Sequence, residues 1–291
     1  METTAAGRHR WLNALLNGIS LFGYAFGAWE LIVLNSRGLE VRPDTQAYLR
    51  AGHALLSSAP VYLGQIGDPL AFNYAPPWAL LFASLTPLPP TVAQFILMSA
   101  NAAALRYVAG SWRRVGYCLL FPLTGLFLAS GNIDLIIAAA IVAAWQGAVW
   151  PLALVGLAKL APFLGLPLRR WREAVITVAI AAVVTLPWWH LWPEWVVYLS
   201  RQPISIRNGV AIAWWMRLPL ALLLLAFVRR PWASALAVVV AMPSLYAWTT
   251  MEGLAVLRIW WDGRVAQTAA AGSADLPRGH TWRLTNKLDV R

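Results

Sequence analysis

The sequence predicts an all-α protein, a polytopic transmembrane helical bundle of about nine spans. Of its 291 residues, 59% are hydrophobic and 12% are charged, and that charged fraction is about half of what a soluble globular domain carries. Long apolar runs recur from Trp11 to Trp261. Most runs are apolar on every face, which indicates contact with lipid because a helix on a soluble core needs only one apolar face.

About nine apolar runs are assigned as spans by the ~20 residues that a membrane-crossing helix needs, and some of them are short or broken. If each crosses once, the arginine clusters between runs share one side and the polar loops 36–71 and 190–208 share the other. Arginine-rich loops normally stay in the cytoplasm, which predicts a multi-pass plasma-membrane protein with a cytoplasmic N-terminus. Arg113 and Arg114 would then lie outside, against the usual bias. The runs are 11–34, 72–87, 91–108, 115–129, 133–147, 150–168, 173–189, 209–228 and 232–260. The clusters are Arg8 with Arg10, Arg169 and Arg170 with Arg172, and Arg229 with Arg230.

Two stretches do not fit simple crossings. The stretch 115–147 breaks at Ser130-Gly131-Asn132, so it is either a re-entrant loop or two full crossings. The run 232–260 has Pro243 near its middle, and it either kinks or splits there.

Both outer loops are predicted to carry interfacial helices. A short helix over 43–58 begins with Pro43 and Asp44. Tyr48 follows Asp44 by about one turn, so the two side chains share a face. The loop 190–208 places tryptophans beside arginines, as expected at a membrane interface. Two such loops on one side predict a roofed cavity between membrane and water.

The domain prediction is one transmembrane domain over 1–261 and a polar tail over 262–291. The tail mixes Gly, Ser and Ala with charges of both signs, a composition typical of disorder.

Several classes of function are excluded by the composition. The net charge of +11 comes from short arginine clusters between apolar runs, not from the contiguous basic face that a nucleic-acid partner needs. Cys118 is the one cysteine, so no disulfide and no cysteine metal site is expected. His53 and His190 are lone loop histidines without a second histidine at ligand spacing.

Four stretches, in order, carry a resemblance to a known family. DTQAYLRAGHALLSSAPVY (44–62) resembles an Asp-x-x-x-Tyr segment, and FNYAPPWALLFASLTPLPP (72–90) a Tyr-Pro-Pro helix entry that closes on Pro-Leu-x-Pro. SGNIDLIIAAAIVAAW (130–145) resembles a Gly-Gln-x-Asn stretch before an apolar helix, and LALVGLAKLAPFLGLPLRRWREA (152–174) a Lys-x-x-Pro with an arginine-rich inner loop. Together, over about residues 10–190, they resemble glycosyltransferase family 87 of the GT-C superfamily.

That resemblance implies a GT-C-like membrane enzyme that transfers a hexose, mannose in the family, from a polyprenyl-phosphate donor to a glycan or glycolipid acceptor on the extracytoplasmic face. It implies no cofactor, and no Asp-x-Asp motif points to a metal. Two departures stand out. Asn132 and Asp134 occupy positions where Gln and Asn are usual, and the chain is shorter than typical members.

The resemblance makes Asp44 the general base that deprotonates the acceptor hydroxyl, with inversion at the anomeric carbon. Such a base should be partly desolvated and within hydrogen-bond reach of the hydroxyl. The other candidates are residues for binding the donor or shaping its site: Tyr48, Tyr74, Lys159, Arg201, Arg207, Asn132 and Asp134.

For the basic candidates, alternatives stay open at this stage. Lys159 lies within an apolar run, where an unpaired charge is costly, so it either helps to hold the lipid phosphate or pairs with Asp134. Arg201 and Arg207 bind either the donor phosphate or lipid headgroups.

Two other classes of function compete with the transferase. Asp134, Lys159 and Arg217 within apolar runs would suit a small transporter or channel, although transporters often show paired broken helices in two halves. A catalytically inactive membrane scaffold of the same family is the third hypothesis.

Overall fold

The computed structural model describes residues 5–35, 42–64, 68, 70–121, 124–201, 214–228, 230–242 and 250–274. These residues form thirteen α-helices and three short 3₁₀ helices, with no strand among them, so the predicted all-α class is confirmed. The α-helices are α1 Ala5–Asn35, α2 Pro43–Leu56, α3 Pro76–Ala83, α4 Pro90–Ala109, α5 Trp112–Leu119, α6 Thr124–Ser130, α7 Asp134–Trp145, α8 Trp150–Lys159, α9 Trp171–Val184, α10 Leu191–Arg201, α11 Trp214–Phe227, α12 Pro231–Ala241 and α13 Thr250–Ala274.

Proline begins many of these helices. It occupies the first turn of α2, α3, α4, α8 and α12, where its missing N–H is not needed and its fixed φ suits a helix. At its other end α4 stops at Gly110, whose φ of 76° gives the left-handed cap that an L side chain disfavours.

The first helix defines the two ends of the bundle. We call the end where α1 begins the base and the end where it finishes the top. At the base, Arg113 donates to Asn13 Oδ1 at 3.5 Å. At the top, the backbone N–H of Gly125 donates to Glu30 Oε2 at 2.9 Å. Helices α5 and α6 therefore rise from base to top alongside α1.

Helices α4, α7 and α13 run in the opposite direction. Gln94, near the start of α4, donates to the Ala129 carbonyl at the top. Tyr107, near its end, donates to Gln146 Oε1 at 2.6 Å, just past the end of α7. Asp262 of α13 pairs with Arg114 at the base, 3.4 Å apart.

The predicted crossing at 72–87 is not a crossing. Helix α1 ends at the top and α4 begins there, so the chain between them returns to the same end. Within it α3 has only 8 residues, about 12 Å at 1.5 Å per residue, too short to cross a bilayer.

The predicted crossing at 150–168 is a hairpin that enters from the base and returns to it. Helix α8 rises to Lys159, and Leu160 turns the chain with a φ of 59°. The returning arm lies against α8, since the ring of Phe163 is 2.9 Å from where a Cβ on Gly156 would be. Arg170 then donates to the Gly147 carbonyl, back at the base. We call residues 150–170 the hairpin.

The nine-span bundle is thus not confirmed, and membrane association is supported on a smaller scale. Among the described helices, Arg10–Val33 and Pro90–Ala109 are each long and apolar enough to cross a membrane. Helices α6 and α7 pass the same test together, but they are bent by 102° at the predicted break. The run 232–260 divides into α12 and α13, with residues 243–249 outside the described part.

Arg113 and Arg114 lie at the base, on the same side as the start of α1. Counting 72–87 as a crossing had put them at the opposite end from the start of α1, whereas in the structure that segment returns to the top and the two arginines share the base with the start of α1.

The predicted boundary between domain and tail falls inside α13. This helix continues to Ala274, and the i,i+4 ion pair of Arg258 with Asp262 spans the boundary at 261. Such pairs stabilise an exposed helix, so residues 262–274 are helical, which differs from the predicted disorder. Residues 275–291 lie outside the described residues.

Helix α1 is attached to the bundle through glycines. Only 17% of its most apolar window is buried. Gly23 and Gly27 form a small-x-x-x-small pair that faces α5. A Cβ on Gly23 would lie 1.8 Å from the carbonyl oxygen of Gly116, and one on Gly27 would lie 3.0 Å from Leu119. The two helices therefore meet backbone to backbone, as in membrane helix pairs of this motif.

Candidate functional site

The start of α2 docks on the break between α6 and α7 at the top of the bundle. Asp44, in the first turn of α2, is partly buried, and its Oδ1 accepts a hydrogen bond from Asn132 Nδ2 at 3.3 Å. Its neighbour Thr45 is fully buried, and its hydroxyl donates to the Ser130 carbonyl at 3.5 Å. Asp44, the general base that the resemblance implies, is therefore in direct contact with the predicted break at Ser130-Gly131-Asn132.

The break has a defined conformation. Gly131 adopts a φ of 75°, and a Cβ there would lie 2.5 Å from the Thr45 hydroxyl. The backbone N–H of Asn132 donates to Ser130 Oγ at 3.1 Å. Asn132 Oδ1 in turn accepts from the backbone N–H of Asp134 at 3.0 Å, and Asn101 Nδ2 donates to the Asn132 carbonyl at 2.8 Å.

Both the oxygen and the nitrogen of the Asn132 side-chain amide therefore form hydrogen bonds. Its oxygen satisfies an N–H at the start of α7, one of the donors that a helix leaves without an intrahelical partner. Its nitrogen is left to face Asp44. An amide held in this way presents a fixed donor to the carboxylate, so Asn132 positions Asp44.

The Asp44 carboxyl is tuned towards neutral pH. Burial, followed by the nearby charge of Asp134, raises its pKa to about 6, against the opposing effects of Lys159 and the hydrogen bond from Asn132. A carboxylate with a pKa near the working pH is a better proton acceptor than an exposed aspartate, and it is still mostly ionised at pH 7.

Lys159 lies at the apex of the hairpin and reaches two carboxylates. Its ammonium forms an ion pair with Asp134, the first residue of α7, and lies 3.8 Å from Glu252 Oε1 in the first turn of α13. The side chains of Asp134 and Glu252 are 2% and 0% exposed. Of the two alternatives for Lys159, the pairing with Asp134 is present.

Glu252 was missed by the sequence reasoning. The signal that singled out Lys159, one ionisable residue within a membrane-length apolar run, applies equally to Glu252 in the run 232–260.

The phenol side chains of Tyr48 and Tyr74 contact each other near Asp44. Their hydroxyl oxygens are 3.2 Å apart, and the ring of Tyr48 stacks on Phe82 with centroids 4.1 Å apart. Tyr62 donates to the Tyr74 carbonyl at 3.1 Å and fixes the segment before α3. Burial raises the pKa of Tyr48 and of Tyr74, so both are neutral phenols that donate hydrogen bonds and do not act as bases.

The two outer segments meet at the top. Trp195 of α10 donates to the Asn73 carbonyl at 3.0 Å, and Tyr198 donates to Asn73 Oδ1 at 2.7 Å. The interfacial helix predicted in 190–208 thus packs on the segment that leads into α3. Arg201 is the last residue of α10, and its side chain lies outside the described part, as does all of Arg207.

Among the described residues, no three His, Cys, Asp or Glu side chains are grouped so that they could hold a metal ion. His53, on α2, is exposed. The polar groups at the site are carboxylates, phenols, an amide and an ammonium.

Comparison with known proteins finds no match: no family model fits the chain, and no curated protein and no solved structure is similar to it. The resemblance to glycosyltransferase family 87 consequently stays a prediction.

Proposed function

We propose that the chain is an integral-membrane glycosyltransferase. It moves a hexose, mannose by the resemblance, from a polyprenyl-phosphate donor to a hydroxyl of a glycan or glycolipid. The observation that carries the proposal is Asp44, a partly buried carboxylate at the top of the bundle with a pKa of about 6 and a fixed amide partner. A desolvated, oriented carboxylate is what abstraction of a hydroxyl proton requires.

In the proposed reaction Asp44 accepts the proton of the acceptor hydroxyl. The hydroxyl oxygen forms a bond to the anomeric carbon, while the bond from that carbon to the phosphate oxygen breaks. The electron pair leaves with the polyprenyl phosphate, so no separate acid is needed. One displacement inverts the anomeric centre.

The arrangement of charges supports an extracytoplasmic site. Among the described residues, most arginines lie at the base. The positive-inside bias favours an orientation in which the base faces the cytoplasm and Asp44 and α10 lie on the other side. The base arginines that contact other base residues include Arg106, Arg113, Arg114, Arg170 and Arg258.

The neighbouring residues take supporting roles. The phenols of Tyr48 and Tyr74 are suited to hydrogen-bonding sugar hydroxyls close to Asp44. Lys159 already has a carboxylate partner in Asp134, which favours an electrostatic role over direct contact with the donor phosphate. Its positive charge keeps the pKa of Asp44 from rising further.

The test is sugar transfer by purified protein in lipid nanodiscs, offered a panel of polyprenyl-phosphate sugars. Asp44→Asn should reduce transfer by roughly 10²–10⁴-fold, the usual contribution of a general base. Asp68→Asn is the matched control, because Asp68 is an exposed aspartate in the same outer loop. Equal activity of the two variants would remove Asp44 from the mechanism.

A transporter is the second candidate, and a specific observation favours it. Polar side chains continue from the top into the bundle, from Asp44 through Asn132 and Asp134 to Lys159 and Glu252. Re-entrant hairpins are tolerated at membrane depth where they are buried in protein or line a water-filled cavity. Flux into liposomes, with no transfer of sugar, would favour this candidate.

A further inference from the structure

The cluster of Asp134, Lys159 and Glu252 carries an excess of negative charge. We call these three residues the buried triad. Two carboxylates share one ammonium, and the side chains of the two acids are 2% and 0% exposed. Asp44, the next ionisable group along the polar side chains, adds a further negative charge. An uncompensated charge in a desolvated site costs several kcal/mol, and the usual response is neutralisation by a proton.

The contacts distinguish the two carboxylates. Asp134 forms the short ion pair with Lys159, and its backbone N–H is capped by Asn132. Glu252 lies 3.8 Å from Lys159 Nζ, too far for a hydrogen bond. Both oxygens of Glu252 are buried without a hydrogen-bond partner among the described residues. Asp134 is therefore the ion-pair partner of Lys159, and Glu252 is the carboxyl group without a hydrogen bond among the described residues.

No other charge among the described residues compensates Glu252. Helix α13 packs on α12, α7 and α4. Residues 231–241 of α12 include no titratable side chain, Asp134 is the one in α7, and Arg106 and Tyr107 of α4 lie near the base. From α6, Thr124 meets the neighbouring Met251. Lys159 and Asp134 are thus the charged groups that face Glu252.

We propose that Glu252 is a proton-binding site. It takes one proton from water and remains a neutral carboxylic acid while Lys159 is paired with Asp134. Uptake converts the carboxylate to the acid and changes no other bond. This inference does not rest on glycosyl transfer, since it follows from the charge and contacts of the buried triad alone.

A small monovalent cation is the rival occupant. Binding a cation normally takes several oxygen ligands, whereas an ammonium already fills the space between the two carboxylates. Among the described residues, no group of three metal-binding side chains is found. The proton is the ligand that needs only one carboxylate oxygen.

The test is infrared spectroscopy of the full chain in nanodiscs at pH 7, with sodium salts and again with choline salts. A neutral carboxylic acid gives a carbonyl stretch that a carboxylate lacks. The band should be present in both salts, shift when glutamate is labelled with ¹³C, and vanish in Glu252→Gln. Glu173→Gln, at an exposed glutamate paired with Arg170, should leave it unchanged.

A second variant tests the reason for the proton. In Asp134→Asn, Lys159 loses its first partner and Glu252 becomes the carboxylate that must pair with it. The band should then disappear although Glu252 is present. The ¹³C shift in the wild type needs no variant to fold. Absence of the band in the wild type, its survival in Glu252→Gln, or its appearance only without sodium would each overturn the proposal.

Discussion

Two three-residue ion clusters of opposite stoichiometry occur in the part of the chain that the structure describes. At the base, Arg114 and Arg258 share Asp262. In the interior, Asp134 and Glu252 share Lys159. The base cluster has one positive charge in excess and the buried triad one negative charge. Only the burial of the excess charge makes the two clusters physically different.

At the base the excess charge is easily tolerated. The Arg114 side chain is 37% exposed, and its guanidinium also lies over the ring of Trp261, 5.7 Å from the centroid. Water and an aromatic face are weak but sufficient partners for an arginine. In the interior neither is at hand for Glu252. A surplus of one charge is therefore solvated at the base, whereas in the interior a surplus of the same size and opposite sign creates a proton-binding site.

The largest expected effect comes from removing the central residue of the buried triad. Lys159→Met should lower the free energy of unfolding by about 3–5 kcal/mol, since breaking a buried ion pair leaves an uncompensated charge. Arg114→Met at the base should cost less than about 1 kcal/mol, as is usual for exposed pairs. Thermal unfolding in detergent measures both. Equal losses would show that burial does not separate the two clusters.

Removing all three charges of the buried triad distinguishes the loss of the ion pair from the loss of packing. A triple variant, Lys159→Met with Asp134→Asn and Glu252→Gln, leaves no charge in the buried triad. It should regain most of the stability lost in Lys159→Met, because replacing all members of a buried ion pair is often neutral. If the triple variant unfolds as readily as Lys159→Met, the loss comes from packing of the lysine stem instead.

A smaller effect is expected where the polar side chains contact α2. Gly131→Ala should destabilise the protein by about 1–2 kcal/mol, the cost of placing an L side chain in the left-handed region, with a further loss from its contact with Thr45. Gly263→Ala is the control, since a Cβ there meets nothing within 4 Å. The same measurement of unfolding applies, and a loss no larger than that of the control would contradict the close contact.

The smallest effect is a shift in the pH dependence of transfer. Asp44 accepts a proton only as the carboxylate, so activity should fall as pH drops through about 6. Asn132→Leu removes a hydrogen bond that lowers the Asp44 pKa, and the midpoint should therefore move to higher pH. Asn17→Leu offers the same substitution at an exposed position of α1 and should leave the midpoint in place. A midpoint that moves down in Asn132→Leu would contradict the assigned contact.

Much of the local structure is predictable from the sequence. Pro43 and Asp44 mark the start of α2, and Ser130-Gly131-Asn132 marks the bend between α6 and α7. The pairing of Lys159 with Asp134 follows from the cost of an unpaired charge in an apolar run. These inferences succeed because each depends on a few neighbouring residues or on one strong energetic penalty.

The path of the chain was harder to predict. Hydropathy measures how apolar a segment is, and residues 72–87 and 150–168 are as apolar as a span although α3 is short and the chain turns back at Leu160. Whether such a segment crosses depends on where it turns. The turn at Leu160 has a positive φ without a glycine, so the sequence does not predict it. The contact of Glu252 with the hairpin depends on that path, so the buried triad could not be assembled from the sequence.

The glycine contact of α1 has a consequence for biogenesis. The partner of Gly23 is Gly116 in α5, and the ribosome makes α5 only after α2, α3 and α4. In a membrane, α1 would therefore have to insert before α5 is made, on its own apolarity. Because Gly23 and Gly27 have no side chains at the contact, α5 can then pack against α1 without rearranging α1 side chains there. A bulky residue at Gly23 should leave insertion intact and block this later assembly step.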